Sequence, residues 1–258
     1  MKDVDFEVRV RSRQKRSKWI DCHDVAGLVE FCEQIADATG RPVGIKSAVG
    51  QAAFWDDLAR HMADTGRGPD FITIDGGEGG TGAGPLVFTD NVALPFFHAL
   101  GTVYGAFARV GLTDEVVFAG AGKLGLTSRA ALALNLGLDL VNVGREAMLA
   151  VGCIQAQRCH TGHCPTGVAT QSKWLERGLD PVSKGERVGN YIVGLRRELT
   201  RLSYACGVAH PCLIGPEGIS MVCSGHEMQR AHDWYGVDPD LTHSAGRRAA
   251  VAEALPSV

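Results

Sequence analysis

The stretch Asp70-Phe-Ile-Thr-Ile-Asp75-Gly-Gly-Glu-Gly-Gly-Thr-Gly-Ala-Gly-Pro85 carries the clearest fold signal in this sequence. Its first six residues form an apolar run of strand length. The glycines that follow predict a loop whose backbone can approach a ligand closely. Four apolar residues then recur at helical spacing: Phe96, Leu100, Val103 and Phe107. A strand, a glycine-rich loop and a helix in this order are typical of an α/β protein.

The same order recurs on both sides of this stretch. Three more strands are predicted from apolar runs at 42–49, 115–120 and 140–144. Four more helices are predicted from helical periodicity at 24–38, 54–62, 130–138 and 186–206. Four strands that alternate with helices predict a parallel α/β architecture.

The two ends of the chain have weaker patterns. Residues 4–10 alternate between apolar and polar, which predicts a short half-buried strand. The basic run at 11–18 lacks interleaved aromatic residues, so we interpret 1–19 as a solvated arm and expect no nucleic-acid partner. After Pro211 the periodicity weakens, which predicts an irregular tail at 211–258 behind a folded region at 20–210.

Composition sets broad limits on the protein. The chain has 258 residues, of which 45% are hydrophobic, and a net charge of −3, so it is long enough to bury a substantial core. We find no signal peptide and no apolar run near eighteen residues, and we therefore expect a soluble, cytoplasmic protein with no membrane partner.

Lys46 is a charged residue inside an apolar strand, where a charge is costly unless it is paired or functional. At the carboxyl end of a barrel strand, its ammonium group would point into the mouth of an active site. It could neutralise a substrate carboxylate there or hold a reacting nitrogen. The alternative is a lysine whose stem lies along the strand end and whose head reaches water.

Two segments, 77–82 and 120–125, match the pattern G-x-G-x-x-G. The first does not open a helix and the second lacks the expected acidic residue, which argues against dinucleotide binding. Gly122-Lys123 and Gly144-Arg145 follow consecutive strands, and the loops after the last two strands of a barrel often bind phosphate. Ordinary tight turns are the alternative.

Asp75 and Glu78 are close enough in sequence to share one loop. They could orient a substrate, bind the ribityl chain of a flavin or cap backbone groups. The sequence does not separate these three roles.

Three cysteines fall within twelve residues: Cys153, Cys159 and Cys164. Thiolates so close together suit an iron–sulfur cluster or zinc, and three of them fit a three-iron cluster or a zinc site completed by His160 or His163. A disulfide between two of these cysteines would leave the third thiol unpaired. Small buried hydrophobic residues are the remaining interpretation.

Three segments together resemble the FMN-binding domain of glutamate synthase, especially its stand-alone archaeal type. They are the strand with Gly44-Ile-Lys46, the loop at 75–85, and the run from Gly152, which reads Gly-Cys-Ile-Gln-Ala-Gln-Arg-Cys-His-Thr-Gly-His-Cys-Pro-Thr-Gly-Val-Ala-Thr-Gln. This resemblance implies a TIM-type (β/α)8 barrel that holds FMN and a 3Fe–4S cluster.

The resemblance also implies a role for individual residues. The three cysteines would be the cluster ligands, and Lys46 would hold the imine derived from 2-oxoglutarate. The loop with Asp75, Glu78, Gly79, Gly80 and Thr81 would lie over the flavin and the substrate. The phosphate of FMN would be bound by Gly122, Lys123, Gly144 and Arg145.

The implied reaction is the reduction of 2-iminoglutarate to glutamate by reduced FMN. The cluster would relay electrons from a donor, which is either ferredoxin or an NAD(P)H-linked subunit. The sequence contains about four βα units of the barrel, its second half, plus the iron–sulfur loop and a C-terminal helix. We therefore expect that another chain supplies the first half. The alternatives are an inactive fragment that binds a partner half, a flavin barrel oxidoreductase with another substrate, and a zinc-binding interaction module.

Overall fold

A parallel four-stranded sheet forms the centre of the protein. The computed structural model describes residues 7–8, 20–21, 24–78, 91–222 and 227–255. Its strands are β3 (Gly44–Ala48), β4 (Phe71–Asp75), β5 (Val117–Ala121) and β6 (Leu140–Asn142). They lie in the order β3-β4-β5-β6, and neighbouring strands are parallel. The prediction of a parallel α/β architecture is confirmed.

Helices alternate with these strands along the chain, as the periodicity predicts. The helices around the sheet are α1 (Val25–Thr39), α2 (Ala52–Thr65), α3 (Phe96–Arg109), α4 (Thr127–Asn135) and α5 (Arg145–Ala150). The side chains of Ile72, Ile74 and Phe118 are fully buried in the same core as residues of α2 and α3. Because side chains alternate across a strand, these three residues define the covered face of the sheet.

The opposite face of the sheet is partly exposed, although Thr73 and Ala119 on it are only 7% and 6% exposed. It carries Phe71 and Val117, each 38% exposed, and Leu140, which is 57% exposed. Phe71 lies beside Val117 in the register of β4 and β5. Parallel sheets normally have both faces covered. In the described part of the chain the helical layer covers one face only, which is compatible with part of a closed barrel.

Two further helices follow the sheet: α6 (Lys173–Glu176) and α7 (Pro181–Ala205). Asp180 caps α7, since its carboxylate accepts hydrogen bonds from the backbone N–H groups of Val182 and Ser183. Pro181 suits the first turn because its missing N–H has no intrahelical partner at that position. The predicted C-terminal helix therefore begins a few residues before 186.

The tail has more regular structure than the sequence pattern predicts. It contains an antiparallel pair, β7 (Ser220–Val222) with β8 (Met228–Arg230), and two helices, α8 (Ala231–Tyr235) and α9 (Ala245–Ala254). Ala231 and Val237 are buried in the main core. β7, β8 and α8 are too short to show a period, and α9 has ten residues but no apolar stripe and no buried residue, which is why the pattern suggested an irregular segment.

Only two short strands are described before residue 24. β1 (Glu7–Val8) pairs with β2 (Ile20–Asp21) in an antiparallel ladder. The rest of the predicted strand at 4–10 and the basic run at 11–18 lie outside the described residues. Among the described helices, none is both long and apolar enough to cross a membrane.

Candidate functional site

The carboxyl ends of the four strands bring the predicted site residues to one edge of the sheet. Ala48, Asp75, Ala121 and Asn142 lie side by side in the strand register. The loops that follow β4, β5 and β6 therefore start next to one another, which is where ligands bind in parallel α/β proteins.

Lys46 and Asp75 form an ion pair across β3 and β4. Lys46 lies opposite Thr73 in the register, and its side chain reaches the carboxylate at the end of β4. The Lys46 side chain is 58% exposed and that of Asp75 is 20% exposed. Because solvent screens so exposed a charge, the pair adds little to stability. The contact positions a cationic group at the open edge of the sheet.

Glu78 binds two parts of the protein with its two carboxylate oxygens. Oε2 accepts a 2.8 Å hydrogen bond from the backbone N–H of Phe96, the first residue of α3. Oε1 accepts a 3.0 Å bond from Nη2 of Arg129. Of the three roles that the sequence left open for this residue, backbone capping is therefore present. Its contact with a substrate stays a prediction.

Arg129 was not singled out by the sequence, yet it connects several site residues. Besides Glu78, its guanidinium donates to the carbonyl oxygens of Gly122, at 3.2 Å, and Lys123, at 3.1 Å. It also lies 4.9 Å from the ring centroid of Phe97. The only signal in the sequence was an arginine in the first turn of the helix that follows Gly122-Lys123.

The two predicted phosphate loops lie beside this network. Lys123 has a positive φ of 54°, and Arg145 donates a 3.3 Å hydrogen bond to the carbonyl oxygen of Glu78. A Cβ atom on Gly122 would lie 2.5 Å from Cβ of Phe96, so only glycine fits there without a shift. Gly144 immediately precedes α5. Three predicted cofactor-binding residues lie outside the described residues: Gly79, Gly80 and Thr81.

The three predicted metal ligands follow α5 and line one surface depression together with Thr166. All three thiols are free. In the described ranges, no group of three or more His, Cys, Asp or Glu side chains is placed to hold a metal ion. The depression measures about 10 Å³. The segment 153–164 would therefore have to open to surround a cluster.

The surroundings of Cys164 favour the thiolate form of its side chain. Its Sγ lies 3.4 Å from the hydroxyl oxygen of Thr166. That hydroxyl, assisted by the backbone N–H groups of Ala169, Thr166 and Val168, lowers the pKa of Cys164 to about 7, against burial, which raises it. Thiolates are the form in which cysteines bind metal. The residues therefore suit an iron–sulfur centre in donor type, whereas their side chains are not grouped around a common point in this structure.

Comparison of the sequence with known proteins identifies the family of the chain. The family model described as "Conserved region in glutamate synthase" matches residues 10–209. The chain is 41% identical over 192 residues to the glutamate synthase large subunit-like protein YerD of Bacillus subtilis, covering 74% of this chain and 37% of that protein. It is 34% identical over 190 residues to the archaeal glutamate synthase [NADPH] of Methanocaldococcus jannaschii, covering 73% of this chain and 36% of that protein.

A third relative extends the matched region. It is a glutamate synthase large subunit-like protein of Rhizobium meliloti, 28% identical over 235 residues, which cover 85% of this chain and 52% of the relative. The chain spans a little over a third of the length of the first two relatives. On the match over residues 10–209, this chain belongs to the glutamate synthase family.

Proposed function

We propose that this chain is part of a glutamate-synthase-type oxidoreductase, which reduces 2-iminoglutarate, formed from 2-oxoglutarate and ammonia, to glutamate. The observation that carries the proposal is the meeting of the Lys46–Asp75 pair and the Gly122-Lys123 and Gly144-Arg145 loops at one sheet edge, in a chain of this family.

Lys46 is the residue best placed to bind the substrate. Its ammonium group can pair with a substrate carboxylate or hydrogen-bond the imine nitrogen, and Asp75 keeps it directed along the edge of the sheet. The reaction adds a hydride to the imine carbon and a proton to the nitrogen. Reduced FMN would supply the hydride when it is bound.

Lys123 and Arg145 supply positive charge for the FMN phosphate beside the glycines of their loops, Gly122 and Gly144. A Cβ atom on Gly144 would meet nothing within 4 Å, so the backbone there is accessible to an anion, whereas the missing side chain of Gly122 allows close packing against Phe96. Gly79, Gly80 and Thr81, which lie outside the described residues, are also assigned to the cofactor by the resemblance to the family.

Cys153, Cys159 and Cys164 are the proposed ligands of a 3Fe–4S cluster. Their shared depression and the low pKa of the Cys164 thiol support this assignment. Such a centre supplies one-electron transfer. The electron donor of the proposed enzyme is ferredoxin or an NAD(P)H-linked subunit. The proposed enzyme is cytoplasmic.

A complementing half of the barrel is part of the proposal. The exposed side chains of Phe71, Val117 and Leu140 face the side on which a closed barrel would have its interior. Among the described strands, β3 and β6 each pair on one side only. Four further βα units would pair with both edges and complete a TIM-type barrel.

The test is to purify the chain without oxygen, together with a co-expressed first half from a family member. We expect flavin absorption, about three irons per chain, and glutamate formation from 2-oxoglutarate, ammonia and a chemical reductant. A Lys46→Met variant with normal flavin and iron content should form glutamate at least about a hundredfold more slowly. Bound zinc in place of iron, or a flavin-loaded complex that makes no glutamate, would contradict the proposal.

A further inference from the structure

Arg129 makes an unusual set of contacts for a residue on a helix. One guanidinium group binds the carbonyl oxygens of two consecutive residues, Gly122 and Lys123, and the carboxylate of Glu78. Its side chain is 32% exposed, and one side of it lies over the ring of Phe97. The planar group is therefore held in one orientation by contacts from three segments of the chain.

The direction of the two carbonyls determines the direction of the next two N–H groups. In a trans peptide the C=O of one residue and the N–H of the next point in opposite directions, and the chain has no cis peptide bond in its described residues. Because Gly122 and Lys123 direct their carbonyls towards Arg129, the N–H groups of Lys123 and Leu124 point away from it.

The backbone conformation at Lys123 fits this arrangement. Its φ of 54° lies in the left-handed region, which is uncommon for a residue other than glycine. Successive N–H groups around a left-handed residue form a concave anion-binding nest. Strain of this kind persists where surrounding contacts hold it, and the two hydrogen bonds from Arg129 are contacts that hold this peptide pair.

We propose that Arg129 is a positioning residue for the phosphate loop of the cofactor site. It does not touch the phosphate itself. It holds the peptides of Gly122 and Lys123, so that the left-handed turn at the exposed residue Lys123 is kept in the conformation that faces the phosphate, whereas Leu124 after it is fully buried. This inference rests on the proposed function, because it assigns a role to Arg129 in the binding of FMN.

Glu78 connects this loop to the rest of the site. Its carboxylate orients the guanidinium of Arg129, while its backbone carbonyl accepts from Arg145 of the second phosphate loop. Glu78 therefore contacts Arg129, which binds the first loop, and Arg145 of the second loop. A lysine could not replace Arg129, since its single ammonium lacks the planar fork that binds two carbonyls and a carboxylate together.

The test compares FMN with riboflavin, which lacks the phosphate. Flavin fluorescence quenching would measure both dissociation constants for the wild type, Arg129→Met and Arg129→Lys, each co-expressed with the first barrel half. We expect both variants to bind FMN about tenfold more weakly or worse, while riboflavin binding changes less than about twofold. Arg109→Met, which removes an exposed arginine paired to Asp56 at 2.5 Å, is the control and should bind both flavins normally.

The outcomes separate this inference from the proposed function. Normal FMN binding by Arg129→Met, or equal loss of FMN and riboflavin binding, would overturn the role of Arg129 while leaving the enzyme assignment intact. If the wild type binds neither flavin, the proposed function fails. Inorganic phosphate is then the probe, and a phosphate-induced shift of the Lys123 amide resonance must appear in the wild type and vanish in Arg129→Met. Its absence in the wild type would overturn the inference as well.

Discussion

The ammonium group of Lys46 and the carboxylate of Asp75 meet across two parallel strands, at the edge where the loops of the candidate site begin. The lysine is mostly exposed, so the pair is a surface contact in energetic terms. We therefore expect the ion pair to contribute to the reaction more than to the stability of the fold.

We expect Lys46→Met to change the free energy of unfolding by less than about 1 kcal/mol, because exposed ion pairs contribute little. Glutamate formation by the flavin-loaded complex should fall by at least about a hundredfold, because a positioned charge near the reacting centre is lost. Urea unfolding and a glutamate assay measure the two effects. Arg109→Met removes a comparable exposed ion pair and should leave both unchanged; a large stability loss for Lys46→Met alone would contradict this prediction.

Gly101 and Gly105 of α3 offer a matched pair of substitutions. A Cβ on Gly101 would lie 2.0 Å from the carbonyl oxygen of Tyr235, whereas a Cβ on Gly105 would first meet the mobile end of Arg109 at 3.3 Å. We expect Gly101→Ala to destabilise the protein by about 2 kcal/mol through overpacking. Gly105→Ala should be neutral or stabilising by up to about 1 kcal/mol, since alanine favours helix. Thermal unfolding compares them, and equal effects would show that the tail does not dock on α3.

Buried histidines predict a stability loss in mild acid. His243 is buried; its Nε2 lies 2.7 Å from the carbonyl oxygen of Leu134, and its backbone N–H donates to the hydroxyl of Tyr104. Burial is the main cause that lowers its pKa, and burial also lowers the pKa values of His210 and His232.

The sign of this effect follows from proton uptake. Below pH about 6.5 the unfolded chain binds protons on these histidines that the folded chain does not, so stability falls as the pH drops. We expect the melting temperature to decrease between pH 7.5 and pH 5.5. His243→Gln keeps a donor for the Leu134 carbonyl and should reduce this decrease. If the melting temperature of that variant decreased with pH as steeply as that of the wild type, His243 would be excluded as a cause of the stability loss.

The open face of the sheet predicts self-association of the isolated chain. Val117 and Leu140 are exposed apolar residues on a sheet whose described edges are unpaired on one side. We expect Leu140→Gln to reduce aggregation of the chain alone, measured by light scattering, and to weaken capture of the complementing half at least about tenfold. Val193→Thr on α7 removes an equally exposed apolar group and should alter neither property.

The order of strands and helices could be predicted from the sequence alone, because apolar periodicity and the glycines that end helices are local properties of the chain. Gly40 and Gly66, for example, end α1 and α2 in left-handed conformations, which glycine adopts readily. The sequence also determined the family, since the spacing of the cysteines and the glycine-rich loop are properties of the chain alone.

The tertiary structure decided which of these residues meet. The pairing of Lys46 with Asp75 depends on the register of β3 and β4, and the contacts of Arg129 with Gly122 and Glu78 depend on how α4 approaches two loops. The docking of His243 against Tyr104, 139 residues away, has no local signature. Hydrogen bonds of this kind form between groups that are distant in sequence, so no periodicity or spacing can indicate them.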